Sequence, residues 1–173
     1  GRGDTVEITR RASSANAWLY GIGGGLMLGC APAVLAWYVS PEWVAPPAWI
    51  ALLAARFMVI GISSPVAYHL MGSGRFGVLA RRVGLEATGA ALLGTAGGWF
   101  WGGTGLALGL LLSTALGTSL PLFLDHARET GTRNGARLFA SAWCRAIVGA
   151  AVAGGVGHAM VRSGWTGAWS LGA

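Results

Sequence analysis

Two long apolar runs meet at the segment His69-Leu-Met-Gly-Ser-Gly-Arg-Phe-Gly-Val-Leu-Ala-Arg-Arg-Val-Gly-Leu-Glu86. It holds three arginines, Arg75, Arg81 and Arg82. In so apolar a chain, this pattern is typical of a short basic loop where one membrane-spanning helix ends and the next begins. Arginines close to the ends of spans are enriched on the cytoplasmic side of the membrane. We therefore predict that this loop is cytoplasmic, which fixes the direction of every other span.

The composition of the chain is that of a membrane protein. Of its 173 residues, 54% are hydrophobic and 10% are charged, and the mean hydropathy is +0.58. Soluble domains carry about 25% charged residues. A net charge of +6 would suggest nucleic acid as the partner of a soluble protein. Because the arginines flank apolar runs here, we expect membrane lipids to supply the counter-charge, and we expect no nucleic acid partner.

Five apolar runs are each close to the roughly 20 residues that a helix needs to cross the hydrocarbon core. They predict an all-α, polytopic membrane bundle. The polar N-terminal segment, residues 1–16, is expected to form an interfacial helix continuous with the first span. The predicted spans cover residues 17–39, 48–71, 83–101, 105–124 and 138–161, and a short external tail covers residues 162–173.

The distribution of arginine predicts the orientation of this bundle. When the sides alternate from span to span, one side, called the basic side below, holds nine arginines and the other side holds Arg162. This bias predicts a cytoplasmic N-terminus and an external C-terminus in the bacterial inner membrane. The nine arginines are Arg2, Arg10, Arg11, Arg75, Arg81, Arg82, Arg128, Arg133 and Arg137.

Glycine recurs every fourth residue in the first span, at Gly21, Gly25 and Gly29. Residues with this spacing share one face of a helix, and small residues there allow two backbones to approach closely. We therefore predict that this face packs directly against a neighbouring helix.

Ionisable residues inside spans are costly and are the first candidates for a functional role. Arg56 lies near the middle of the second span, too far from either end to reach the interface easily. One interpretation is a polar cavity that admits an anion, and Ser63, on almost the same helix face, favours it. The other interpretation is a structural arginine paired with a carboxylate or with backbone carbonyls.

Glu86 and Arg145 each follow a cluster of basic residues at a similar distance along the chain, and both clusters lie on the same predicted side of the membrane. Their similar depth predicts an ion pair between the third and fifth spans. Such a pair would neutralise both charges if it is structural, and would rearrange if it serves a transport cycle.

No motif of enzymatic chemistry is visible. His69 and His158 lie at opposite depths, so one haem cannot be held by both. Gly154, four residues before His158, would make room for a tetrapyrrole ring. This spacing alone is weak evidence for a bound ring, so we expect no cofactor. Cys30 and Cys144 fall inside spans, which argues against a disulfide framework and against a metal site. We therefore expect no enzyme.

Four short motifs follow one another along the chain. They are Gly1-Arg-Gly-Asp4 ahead of Arg10-Arg11, Ser40-Pro-Glu-Trp43, Gly72-Ser-Gly-Arg75, and Trp101-Gly-Gly-Thr-Gly105 before an Ala/Leu/Ser/Thr-rich span. In this order they resemble the C-terminal half of a polysaccharide or lipid-linked oligosaccharide flippase of the multidrug/oligosaccharidyl-lipid/polysaccharide exporter superfamily. The resemblance covers roughly residues 1–145.

This resemblance implies one lobe of a transporter that moves a polyprenyl-pyrophosphate-linked glycan by alternating access. Such transporters have two bundles, so the chain is expected to be a fragment or a truncated relative, with a second bundle or another membrane subunit as its partner. Arg56 and Arg145 are then the candidates for binding pyrophosphate, because arginine pairs bidentately with phosphate oxygens, and Ser63 would line the same site.

The alternative is a non-catalytic transmembrane subunit of a larger membrane complex. Glycine faces on several helices suit that role equally well. If that complex carries pigment, His158 or His69 would hold a tetrapyrrole.

Overall fold

The computed structural model describes residues 2–38, 45–130 and 135–163. The Ser40-Pro-Glu-Trp43 motif, Arg133 and residues 164–173 of the predicted tail lie outside these ranges. The described part contains no strand, and its all-α character confirms the predicted fold class. Its elements are α1 (Arg2–Tyr38), α2 (Pro47–Gly72), α3 (Phe76–Ser113), a π-helical turn (Thr114–Ser119), α4 (Leu120–Thr130) and α5 (Gly135–Arg162).

Long apolar helices dominate the described part, as expected of a polytopic membrane protein. Many large hydrophobic side chains on their outer faces are exposed, Trp37, Leu92 and Val152 among them. Exposure of these apolar side chains to water would be unfavourable, whereas contact with the lipid chains of a membrane is not. Among the described residues, four helical stretches are long and apolar enough to cross a membrane: Glu7–Tyr38, Pro47–Gly72, Phe76–Arg128 and Arg137–Arg162.

The third of these stretches, 53 residues long, reverses direction at Trp101 and Gly102. The backbone leaves helical geometry at both residues, and Gly102 has a φ of 58°, which glycine adopts without a Cβ clash. Residues 103–130, the second arm, return along residues 76–100, the first arm. Successive close contacts between the arms join Gly97 to Gly105, Gly94 to Leu106, and Gly89 to Ser113.

The glycine face predicted in the first span is confirmed as the contact between α1 and α5. A Cβ added at Gly21 would lie 2.5 Å from the carbonyl oxygen of Ala146, and one added at Gly25 would overlap the carbonyl of Ala150. Gly29 continues the contact one turn further on. Because the partner numbers rise together, α1 and α5 run parallel. A side chain at these positions would force the two backbones apart.

α2 occupies the centre of the bundle, with α1, the second arm and α5 around it. Its Ile62, Val66 and Leu70 are fully buried, and they share a core with Leu122 and Phe123 near the basic side. Because α2 contacts both α1 and the second arm, its side chains can join polar groups from several segments.

Candidate functional site

Arg56 belongs to a polar cluster formed by three segments of the bundle. Arg56 comes from α2, Glu86 from the first arm and Thr114 from the second arm. Arg56 Nε donates to Thr114 Oγ1 at 3.0 Å, and the Thr114 hydroxyl donates to Glu86 Oε1 at 2.6 Å. Arg56 Nη2 lies 3.6 Å from the same carboxylate oxygen. The hydroxyl of Thr114 therefore bridges an ion pair that makes no short direct hydrogen bond.

The backbone around Thr114 explains how the cluster forms. Thr114 opens the π-helical turn, and Gly117 in that turn faces Glu86 so closely that an added Cβ would lie 2.9 Å from the Glu86 Cα. Without a side chain at Gly117, the arms approach until the carboxylate reaches Thr114. Single π-helical turns occur frequently at functional sites.

The side chains of this cluster are partly, but not completely, buried. The side chain of Arg56 is 33% exposed and that of Glu86 is 19% exposed. Arg56 therefore follows the second interpretation given by the sequence, an arginine paired with a carboxylate. About a third of the side-chain surface of Arg56 nevertheless remains exposed.

The predicted ion pair between Glu86 and Arg145 is wrong, because Glu86 pairs with Arg56 instead. α3 and α5 make no contact in the described part of the chain, since α5 packs along α1. Arg145 Nη1 donates to Ser14 Oγ of α1 at 3.0 Å. The prediction compared depths in the membrane, which the sequence gives, but not lateral positions, which depend on helix packing.

Ser63 is not joined to Arg56. It is buried in the core, and its Oγ lies 3.0 Å from the carbonyl oxygens of Val59 and Ile60 on its own helix. A serine that donates to its own helix needs no polar cavity. The shared helix face seen in the sequence therefore does not produce a shared polar site.

The histidines lie at opposite ends of the bundle, as their positions in the sequence indicate. His158 is exposed on α5, where its backbone packs beside Gly29. The ring of His69 meets the edge of the His126 ring at a centroid distance of 5.1 Å. Sequence reasoning missed His126, which is buried, although its place at the end of an apolar run indicates that it could be covered by neighbouring helices. The described residues hold no group of three or more potential metal ligands.

A second, tighter ion pair joins the two arms near the basic side. Arg82 donates from Nε and Nη2 to Asp125 Oδ2 at 2.9 and 2.7 Å, and both side chains are largely buried. Thr118 also donates to the backbone carbonyl of Arg82 at 3.1 Å. This pair was not predicted, because the sequence places Arg82 among the charges of a basic loop.

Arg145 lies in a pocket between α1, α4 and α5 that is lined by both polar and apolar side chains. The pocket has a volume of about 20 Å³ and is lined by Arg10, Ser13, Ser14, Phe123, His126, Leu138, Ser141, Ala142 and Arg145. Ser13 is 5% exposed, and its Oγ has no hydrogen-bond partner among the described residues. The two intramembrane arginines thus have different surroundings, a carboxylate for Arg56 and hydroxyl groups for Arg145.

Comparison of the chain with protein-family models, with curated proteins and with solved structures finds no match. The function is therefore inferred from the residues themselves and from how the bundle arranges them.

Proposed function

We propose that the chain is a five-span bundle of the bacterial inner membrane, with its N-terminus in the cytoplasm and its C-terminus outside. The reversal at Trp101 and Gly102 supports this count, because it divides the longest apolar stretch into two antiparallel arms. The parallel packing of α1 and α5 supports it too, since the first and fifth of five spans run in the same direction. The arginine bias supports the orientation.

We further propose that this bundle is one lobe of a transporter for polyprenyl-pyrophosphate-linked glycans, without catalytic chemistry of its own. The observation that carries the proposal is the loose pairing of Arg56. Direct arginine–carboxylate bonds are about 2.7–2.9 Å long, whereas Arg56 and Glu86 are 3.6 Å apart and depend on Thr114 for their contact. An arginine in a membrane needs a counter-charge, but this one holds its carboxylate weakly.

Pyrophosphate matches the bidentate geometry of arginine better than a carboxylate held through a hydroxyl does. In the proposed cycle, the pyrophosphate of the substrate replaces Glu86 beside Arg56. Thr114 keeps its hydrogen bond to the released carboxylate, so that the carboxylate retains a donor while the substrate is bound. The first arm and α2 are then free to shift relative to each other.

Glycan export tests this role of Arg56. The gene is deleted from its own host and replaced by variants whose membrane levels are matched. Arg56→Lys keeps the charge but loses the two-pronged geometry, so we expect export to fall by about tenfold or more. Arg82→Lys is the matched control, because it makes the same change in the pair with Asp125 and is expected to leave export near the native level. Native export by Arg56→Lys would refute the transport role.

A second candidate function is a non-catalytic subunit of a larger membrane complex. The neutralisation of Arg56 within the bundle favours it, because a structural pair requires no substrate. Gentle purification from native membranes separates the two proposals. A coloured complex of several subunits would contradict the transporter, whereas a colourless assembly with a second helical bundle would support it.

A further inference from the structure

The pocket around Arg145 lies at the level where the apolar spans begin. Ser13 and Ser14 come shortly before Ala17, the first residue of the first predicted span. Leu138, the first residue of the fifth predicted span, lines the same pocket. In a bilayer this level is occupied by lipid headgroups, and the nearby loops carry most of the arginines of the chain.

Arg145 brings a positive charge to this pocket. Its guanidinium donates a hydrogen bond to Ser14, and no described carboxylate forms an ion pair with it. Arg10, at the rim of the pocket, differs because both of its bonds, each 2.8 Å long, go to Glu7. A guanidinium has five N–H donors, so most of those on Arg145 have no described acceptor.

Two serines add further donors that lack acceptors. Ser13 is buried, and its hydroxyl has no partner in the described part of the chain. Ser14 accepts its bond from Arg145, which leaves its own hydrogen available. Ser141 differs because its hydroxyl already donates to the carbonyl of Leu138 at 3.0 Å. The pocket is therefore rich in hydrogen-bond donors. A ligand that accepts hydrogen bonds and carries negative charge would complement it.

We propose that this pocket binds one phosphate group, presented by an anionic lipid headgroup or by a free phosphate ion. The volume of about 20 Å³ accommodates one oxygen atom, since a single water needs roughly 10–15 Å³ on the same measure. One phosphoryl oxygen lies inside, with Arg145 and Ser13 as donors. The rest of the group lies at the mouth beside Arg10. This site does not depend on whether the bundle transports a glycan.

Binding to the purified full chain in a neutral detergent tests the proposal. The probes are short-chain phosphatidic acid, short-chain phosphatidylglycerol and inorganic phosphate, each titrated by calorimetry. Arg145→Gln is expected to weaken binding by about 10- to 100-fold, because it removes a charge-assisted bond. Arg137→Gln is the matched control, because it removes an exposed arginine from the same helix and is expected to change binding less than about twofold. Ser13→Ala, a smaller change that the fold should accept, is expected to weaken binding by about three- to tenfold.

Each outcome bears on the site. Binding of the lipids alone, weakened by Arg145→Gln and by Ser13→Ala, assigns the pocket to a lipid headgroup. Equal binding of inorganic phosphate with the same sensitivity assigns it to free phosphate. Failure of every probe to bind would overturn the proposal and leave an ordered water as the occupant. Binding that Arg137→Gln weakens as much as Arg145→Gln would overturn it as well, because the attraction would then be a general effect of charge.

Discussion

At the scale of single residues, the ion pair between Arg56 and Glu86 changes what a substitution should do. From the sequence alone, Arg56→Met is expected to fold at least as well as the native chain, because it removes a charge from the membrane. The pair reverses this expectation, since Arg56→Met leaves Glu86 with Thr114 as its remaining described partner. Breaking one side of a shielded ion pair is more damaging than replacing both sides.

We therefore predict that Arg56→Met lowers the free energy of unfolding by about 1–3 kcal/mol, because an unpaired shielded charge remains. Adding Glu86→Met should recover most of the loss. Thermal unfolding in detergent measures both variants, with exposed Arg81→Met as the control. If the double variant is no more stable than Arg56→Met alone, the two charges do not stabilise each other.

At the scale of elements, two adjacent glycines of α1 face different kinds of neighbour. Gly25 faces the backbone of Ala150 on α5, which cannot move without separating the helices. Gly24 faces Met58 of α2, where an added Cβ would lie 2.9 Å from the side-chain Cγ. Methionine is flexible and can adopt another rotamer.

We predict that Gly25→Leu lowers the free energy of unfolding by about 3 kcal/mol, the upper end of the usual range for overpacked positions, and that Gly24→Leu costs roughly half as much. The detergent melting temperature of each variant measures the difference. Equal losses would show that α1 and α5 do not pack through this face.

At the scale of the whole molecule, orientation is the property that a direct experiment can settle. In a background with Cys30→Ala and Cys144→Ala, a membrane-impermeant thiol reagent is applied to intact cells. Ser73→Cys should be protected because it lies in the loop that we propose to be cytoplasmic, whereas Glu42→Cys should react from outside. Labelling of Ser73→Cys in intact cells would invert the proposed topology.

The sequence predicted the features that depend on local pattern. Helical character follows from apolar runs, and the glycine face follows from a spacing of four residues in one helix. Both patterns can be recognised without knowing which helices pack beside them. The partners of Glu86, Asp125 and Arg145 were missed because an ion pair depends on which helices lie side by side. Ser63 was placed on the correct helix, but the sequence does not show that it satisfies its own hydroxyl.

The parallel contact between α1 and α5 has a consequence for biogenesis. α1 is synthesised before α5, so its glycine face waits in the membrane until nearly all the rest of the described chain has been inserted. Contacts between distant parts of a chain form late in folding. Closure of this seam therefore reports that α5 has been inserted, and a nascent chain arrested before α5 presents membrane quality-control proteases with an open, glycine-lined helix.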